Sequence, residues 1–133
     1  SIYDYNPKRV ILLIGINDLN RDKKVDDVID NIEEVVTKIL NYNSSIEVDV
    51  ISVLPVNRDF KGRDGLASND TIKELNTKLE KSCLTLEVNY IDAFSTMTDK
   101  EGSLKEEYTK DGIHLSEKGY QHLTSIINKA IKK

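Results

Sequence analysis

Disulfide chemistry is closed to this sequence within one chain, because Cys83 is the single cysteine among 133 residues. It falls in a helix-like stretch beside Leu79, Leu84 and Leu86, with no electropositive setting, and is expected to be a buried, inert thiol. Long apolar runs are also absent. The longest, Val10 to Ile14, is far too short to span a bilayer, and no basic start leads into a signal-type segment. A soluble chain without a membrane span is expected, with its compartment left open. An excess of positive charge is lacking too: 19 basic against 23 acidic residues leave a formal charge of -4, scattered over the whole length. With no basic stripe to follow a phosphate backbone, nucleic acid is not expected as a partner. Histidine is scarce, and Asp111, His114 and His122 do not have the compact spacing of a metal site. Neither a metal nor a cofactor is expected. The chain begins with Ser1 rather than Met, which reads as processing or excision.

With 38% hydrophobic and 32% charged residues, positions 1–133 read as one domain with a modest core. Arg9 to Ile14 is a continuous apolar run closed by Gly15, the pattern of a strand buried on both faces of a parallel sheet. From Val25 to Asn41 the apolar residues Val28, Ile29, Ile32, Val35, Val36, Ile39 and Leu40 recur at helical spacing. Ile46 to Leu54 predicts a second strand, stopped by Pro55 and followed by a polar loop from Val56 to Ala67. Asn69 or Asp70 is suited to cap a second helix with Ile72, Leu75, Leu79 and Leu84 inward; Asn89 to Asp92 then starts a third strand. After a loop of mixed polarity, Ser116 is expected to cap a last helix with Tyr120, Leu123, Ile126, Ile127 and Ile131 facing inward.

Three strands alternating with three helices, without repeats, predict an α/β sandwich with a parallel sheet and right-handed crossovers. The first strand carries no edge protection, so it reads as an interior strand whose neighbour is absent.

In such sheets ligands bind beyond the carboxyl ends of the strands. Three segments qualify: Gly15-Ile-Asn17-Asp18, the Val56 to Asn69 loop, and the stretch from Ala93 to His114. In Asp111-Gly-Ile-His114 the acid precedes the histidine by three residues, just upstream of a helix. A carboxylate bonded to one imidazole nitrogen sets the tautomer and leaves the other nitrogen to take a proton from a hydroxyl. At the end of the first strand, the Asn17 amide is able to donate to the oxyanion of a tetrahedral intermediate, although Asn and Asp in such places also serve as plain turn residues. Arg58, Phe60, Lys61 and Arg63 could meet an anionic or sugar-containing substrate, or simply be solvated.

Together, Gly15-x-Asn17-Asp18 and Asp111-x-x-His114 resemble blocks III and V of the GDSL/SGNH hydrolase family. Their flanks, Leu12 to Leu19 and Asp111 to Tyr120, are similar as well, as are Ser52-Val-Leu-Pro55 and Glu74-Leu-Asn76. The resemblance implies a flavodoxin-like three-layer sandwich and an esterase acting on acyl or acetyl esters of lipids, sugars or small molecules through an acyl-serine. Carried over by motif, His114 is the general base, Asp111 its orienting acid and Asn17 an oxyanion donor, with Gly15 and Asp18 lining the substrate site. The family's Gly-Asp-Ser block and its second glycine block are not found, so the domain is expected to be N-terminally incomplete, with the nucleophile on a missing segment or a second chain. Among the chain's own serines, Ser68 and Ser95 lie at the correct edge, yet neither sits in a sharp strand-to-helix turn. Two rivals remain: a non-catalytic α/β binding module, and a homodimer that completes its sheet through the first strand.

Overall fold

The computed structural model of the protein describes residues 7–14, 19, 23–60 and 67–132. Its sheet has strands β1 (Arg9–Leu12), β2 (Glu47–Ile51) and β3 (Asn89–Ile91), all parallel and paired in the order β1-β2-β3. Helix α1 (Val25–Tyr42) joins the first two strands and α2 (Asn69–Leu86) the next two; α3 (Glu117–Ile131) follows two short 3₁₀ turns, Phe94–Thr96 and Glu106–Tyr108. Because the strand order advances in one direction, crossovers of one hand put α1 and α2 on the same face. Val28, Ile32, Val36 and Ile39 of α1 and Ile72, Leu75 and Leu79 of α2 accordingly share one core with Val10, Val48 and Val50. Side chains alternate along β2, so Ile51 points to the opposite face, where it meets Ile91, Met97, Leu104 and Leu123 of α3. This is the three-layer α/β arrangement expected from the alternation of elements.

Local chemistry explains where the helices start and stop. Asp26 and Asp27 occupy the first turn of α1, where acidic groups complement the helix dipole. Ser68 caps α2 by accepting from the Thr71 N–H at 3.1 Å. The expected cap, Asn69 or Asp70, is thus displaced by one or two residues; the Asn69 amide is engaged instead with the backbone of Val56. At the other end Glu87 adopts a left-handed conformation and its N–H closes onto the carbonyls of Cys83 and Leu84. Ser116 caps α3 as expected, accepting from Gly119 N–H at 3.1 Å.

Three expectations about burial are corrected. Ile11 is 41% exposed, and Leu13 and Ile14 are exposed too, so β1 is covered on one face only. Among the described residues β1 pairs with β2 alone and so lies at the edge of the sheet. Leu84, assigned to the inward stripe of α2, is 80% exposed, and Cys83 beside it takes the buried position. Tyr120 is 57% exposed rather than inward. Burial pushes the Cys83 thiol up to about 11, with a small contribution from Glu80, which fits an inert side chain. Among the described residues no helix is long and apolar enough to cross a membrane.

The two leucines of α2 separate buried from exposed area in one experiment. Leu75→Ala, at a fully buried position, should lower stability by about 2–5 kcal/mol, while Leu84→Ala should stay within roughly 0.5 kcal/mol. Urea denaturation read by circular dichroism, with an unchanged slope, measures both.

Candidate active site

Beyond β3 the chain folds back on itself into a short hairpin. Ser116 N–H donates to the Tyr108 carbonyl at 2.9 Å, Thr109 and Leu115 form an isolated antiparallel bridge, and Lys110 N–H donates to the His114 carbonyl at 3.0 Å. The residues between are Asp111, Gly112 and Ile113. Gly112 has φ 96, a conformation that a side chain would strain. The Asp111 Oδ1 atom accepts from Ile113 N–H at 3.0 Å and His114 N–H at 2.8 Å, an Asx-type turn that bends the backbone back toward its own carboxylate. This brings Asp111 Oδ2 to 2.7 Å from His114 Nδ1. Helix α3 then presses on the base of the hairpin, where a Cβ on Gly119 would lie 2.3 Å from the Tyr108 carbonyl oxygen. Only glycine permits that approach.

The Asp111 carboxyl is held well below the usual carboxylate range, first by the His114 ring bond and then by the two backbone N–H groups, with burial opposing. An ionised carboxylate has no proton to give, so Nδ1 must be the donor in the pair. The neutral ring is therefore the Nδ1–H tautomer, with a lone pair on Nε2. Among the described residues Nε2 has no hydrogen-bond partner, and the His114 side chain is 70% exposed. It borders a cleft of about 350 Å³ lined by Leu13, Ile14, Leu54, Pro55, Ile113 and Tyr120. An apolar cleft beside an oriented imidazole is suited to accept a proton from a hydroxyl placed there.

The other residues expected at the site divide. Gly15, Asn17 and Asp18 lie outside the described residues, as do Lys61 and Arg63. No described serine lines the cleft. Ser68 is occupied as a helix cap, and Ser52 Oγ is buried, accepting from the N–H groups of Ala93 and Phe94. His122 stacks on Tyr108 with ring centroids 4.8 Å apart and meets Thr96 Oγ1 at 3.1 Å. Sequence reasoning missed the support beneath the hairpin. Asn57 N–H donates to the Gly112 carbonyl at 2.9 Å, and the Asn57 amide donates to the Leu104 carbonyl at 3.0 Å. In the sequence Asn57 is one more residue of the Val56 to Ala67 loop, and no local pattern foretells a partner far along the chain.

A parallel α/β sheet with a carboxylate–histidine pair just before its last helix defines the class of protein: a three-layer α/β sandwich with a candidate site at the edge where ligands bind. Residues 2–122 match the GDSL-like Lipase/Acylhydrolase family, and the chain belongs to that family. No curated protein matches it. Among solved structures, a protein from Streptococcus pneumonia provisionally called a platelet activating factor is 32% identical over 92% of this chain and 59% of its own, with a TM-score of 0.86. A GDSL-like lipase from Bacteroides thetaiotaomicron is 25% identical over 98% of this chain and 65% of its own, with a TM-score of 0.80. A lipase/acylhydrolase from Enterococcus faecalis is 26% identical over 98% of this chain and 64% of its own, with a TM-score of 0.75. The chain thus spans less than two thirds of the length of each of these.

Because the folded-state pKa of Asp111 is depressed, the stability it contributes is complete above the unfolded carboxyl pKa and is lost as pH falls through the folded value. The stability difference between wild type and Asp111→Asn should therefore be full near pH 5 and shrink below roughly pH 4. Thermal melts of the two proteins across that range check the sign; a gap that widens on acidification would contradict it.

Proposed function

We propose that this chain carries the acid–base half of an acyl-ester hydrolase that works through an acyl-serine. The observation behind the reading is the 2.7 Å contact between Asp111 Oδ2 and His114 Nδ1, which leaves a lone pair on Nε2 of a side chain that lines an apolar cleft. His114 Nε2 takes the proton of a serine hydroxyl as its oxygen attacks the ester carbonyl. The Asp111 carboxylate stabilises the resulting imidazolium and keeps the ring from turning. Asn17 donates to the oxyanion, with the backbone near Gly15 and Asp18 lining the substrate site. Collapse of the tetrahedral intermediate breaks the carbonyl–alkoxy bond, and the His114 proton goes to the leaving alcohol. Water then attacks the acyl-serine by the same route, giving the carboxylic acid and free serine.

The nucleophilic serine is supplied from outside these 133 residues. Two facts support this: no described serine borders the cleft, and the solved relatives are longer than the part this chain covers. The segment that brings the serine would seat beside β1, against Ile11, Leu13 and Ile14. The same exposed edge favours a second reading, in which two copies pair through β1 and extend the sheet across a dimer. Sedimentation over a range of concentrations distinguishes them, since a concentration-independent monomer ends the dimer reading.

Exposing purified protein to a fluorophosphonate and measuring the denatured intact mass tests the assignment of the nucleophile. An adduct on polypeptide outside positions 1–133 is expected; an adduct on a serine of this chain would overturn the assignment. In the catalytically complete protein, His114→Ala should reduce hydrolysis of a p-nitrophenyl acyl ester by orders of magnitude, and Asn17→Ala by about 10²-fold. Undiminished turnover in the His114 variant would refute the role given to it.

A further inference from the structure

Between Thr109 and Leu115 every backbone N–H from Lys110 to His114 has a partner, and two side chains supply nearly all of them. Asp111 serves Ile113 and His114. Thr109 serves two more, leaving Lys110 N–H to the His114 carbonyl: its buried Oγ1 accepts from Gly112 N–H at 2.8 Å and Asp111 N–H at 3.3 Å, and donates to the His114 carbonyl at 2.8 Å. A hydroxyl has one proton and two lone pairs, so every bond this group can make is spent inside the hairpin. Those bonds fall on both members of the pair, at the backbone N–H of Asp111 and the carbonyl of His114.

We infer that Thr109 is a positioning residue for the Asp111–His114 pair, its hydroxyl spanning the base of the hairpin and holding acid and imidazole in register. The inference rests on the reading of His114 as the base, but its geometry is independent of any reaction. Without the hydroxyl, two N–H groups lose their acceptor and the His114 carbonyl keeps only the donor from Lys110. Within the hairpin the Asx turn and the Lys110–His114 backbone bond are then left to set the separation of Asp111 from the ring. Thr109→Val removes the hydroxyl at nearly constant shape, while Thr109→Ser keeps it and removes the methyl group. The methyl group matters only for packing.

The experiment is solvent exchange of the His114 ring Nδ1–H by NMR in the ¹⁵N-labelled protein, assigned with His114→Gln, together with the ¹³C titration of the Asp111 carboxyl. In Thr109→Val the ring proton should exchange about tenfold faster or more, in keeping with the sensitivity of such pairs to small displacements. The carboxyl midpoint should rise toward the ordinary range. Thr109→Ser should restore both. A folded valine variant with wild-type exchange and titration overturns the inference, and so does a serine variant as impaired as valine. Should the valine variant fail to fold, the serine variant decides: a ring-proton exchange rate equal to wild type supports the hydroxyl's role, and faster exchange refutes it. Esterase activity does not enter this readout. A protein that hydrolyses no ester yet shows the same dependence on the hydroxyl would refute the proposed reaction and leave the positioning role standing. Where turnover is measurable, Thr109→Val should lower kcat by about tenfold or more with KM nearly unchanged.

Discussion

Beyond Ile51 the chain leaves the sheet but stays buried under α2, and its backbone polar groups must still be satisfied. Two asparagines on α2 do this. The Asn76 amide exchanges two hydrogen bonds with Val53, at 2.8 and 2.9 Å, and the Asn69 amide does the same with Val56, at 2.9 and 2.8 Å. Seven residues apart, they lie two helical turns from one another on the same face of α2. They act as a substitute ladder where no strand is available. The Val56 carbonyl also accepts from Leu104, and Asn57 reaches both Leu104 and Gly112. The segment from Val53 to Asn57 therefore joins α2, the long loop after β3 and the hairpin that carries Asp111 and His114. Its rigidity is transmitted to the site through one backbone bond, Asn57 N–H to Gly112.

Two carboxylates at opposite ends of the sheet show different uses of charge. Asp49 on β2 is 3% exposed and accepts from Arg9 on β1 and from Asn89 on β3, tying the three strands near their amino ends. A buried carboxylate with both oxygens engaged avoids the cost of an unpaired charge, so removing a partner there is a structural injury. Asp111 sits at the other edge in a partly exposed pair, where water screens the attraction and little stability is gained. Its importance lies in orientation. The carboxylate selects the imidazole tautomer, and the hairpin bonds determine which way the free nitrogen points.

The sheet edge adds a second constraint on the site. β1 buries Val10 against α1 but leaves Ile11, and Leu13 just beyond the strand, exposed, and an apolar edge strand is a template for pairing. The cleft beside His114 begins on this same surface, at Leu13 and Ile14. Whatever covers the edge of β1 therefore also shapes the space in front of the imidazole.

Periodicity was enough to place the three strands, the three helices and the parallel order, because each element repeats its apolar residues at a period that only one backbone geometry satisfies. Ser116 as a cap and the nearness of Asp111 to His114 were also legible, since both depend on bonds spanning three residues. The chain could not by itself reveal that Ser68 rather than Asn69 caps α2, because Asn69 is drawn away by Val56, thirteen positions earlier. Nor could it show that Leu84 and Tyr120 face outward, for an amphipathic stripe fixes a direction and the width of the neighbouring layer decides where burial ends. Asn57 is the clearest case, since its partners Leu104 and Gly112 lie far along the chain. Local sequence determined the pairing of Asp111 with His114, and tertiary structure decided what supports the hairpin from below, because a hydrogen bond between distant residues leaves no period to read.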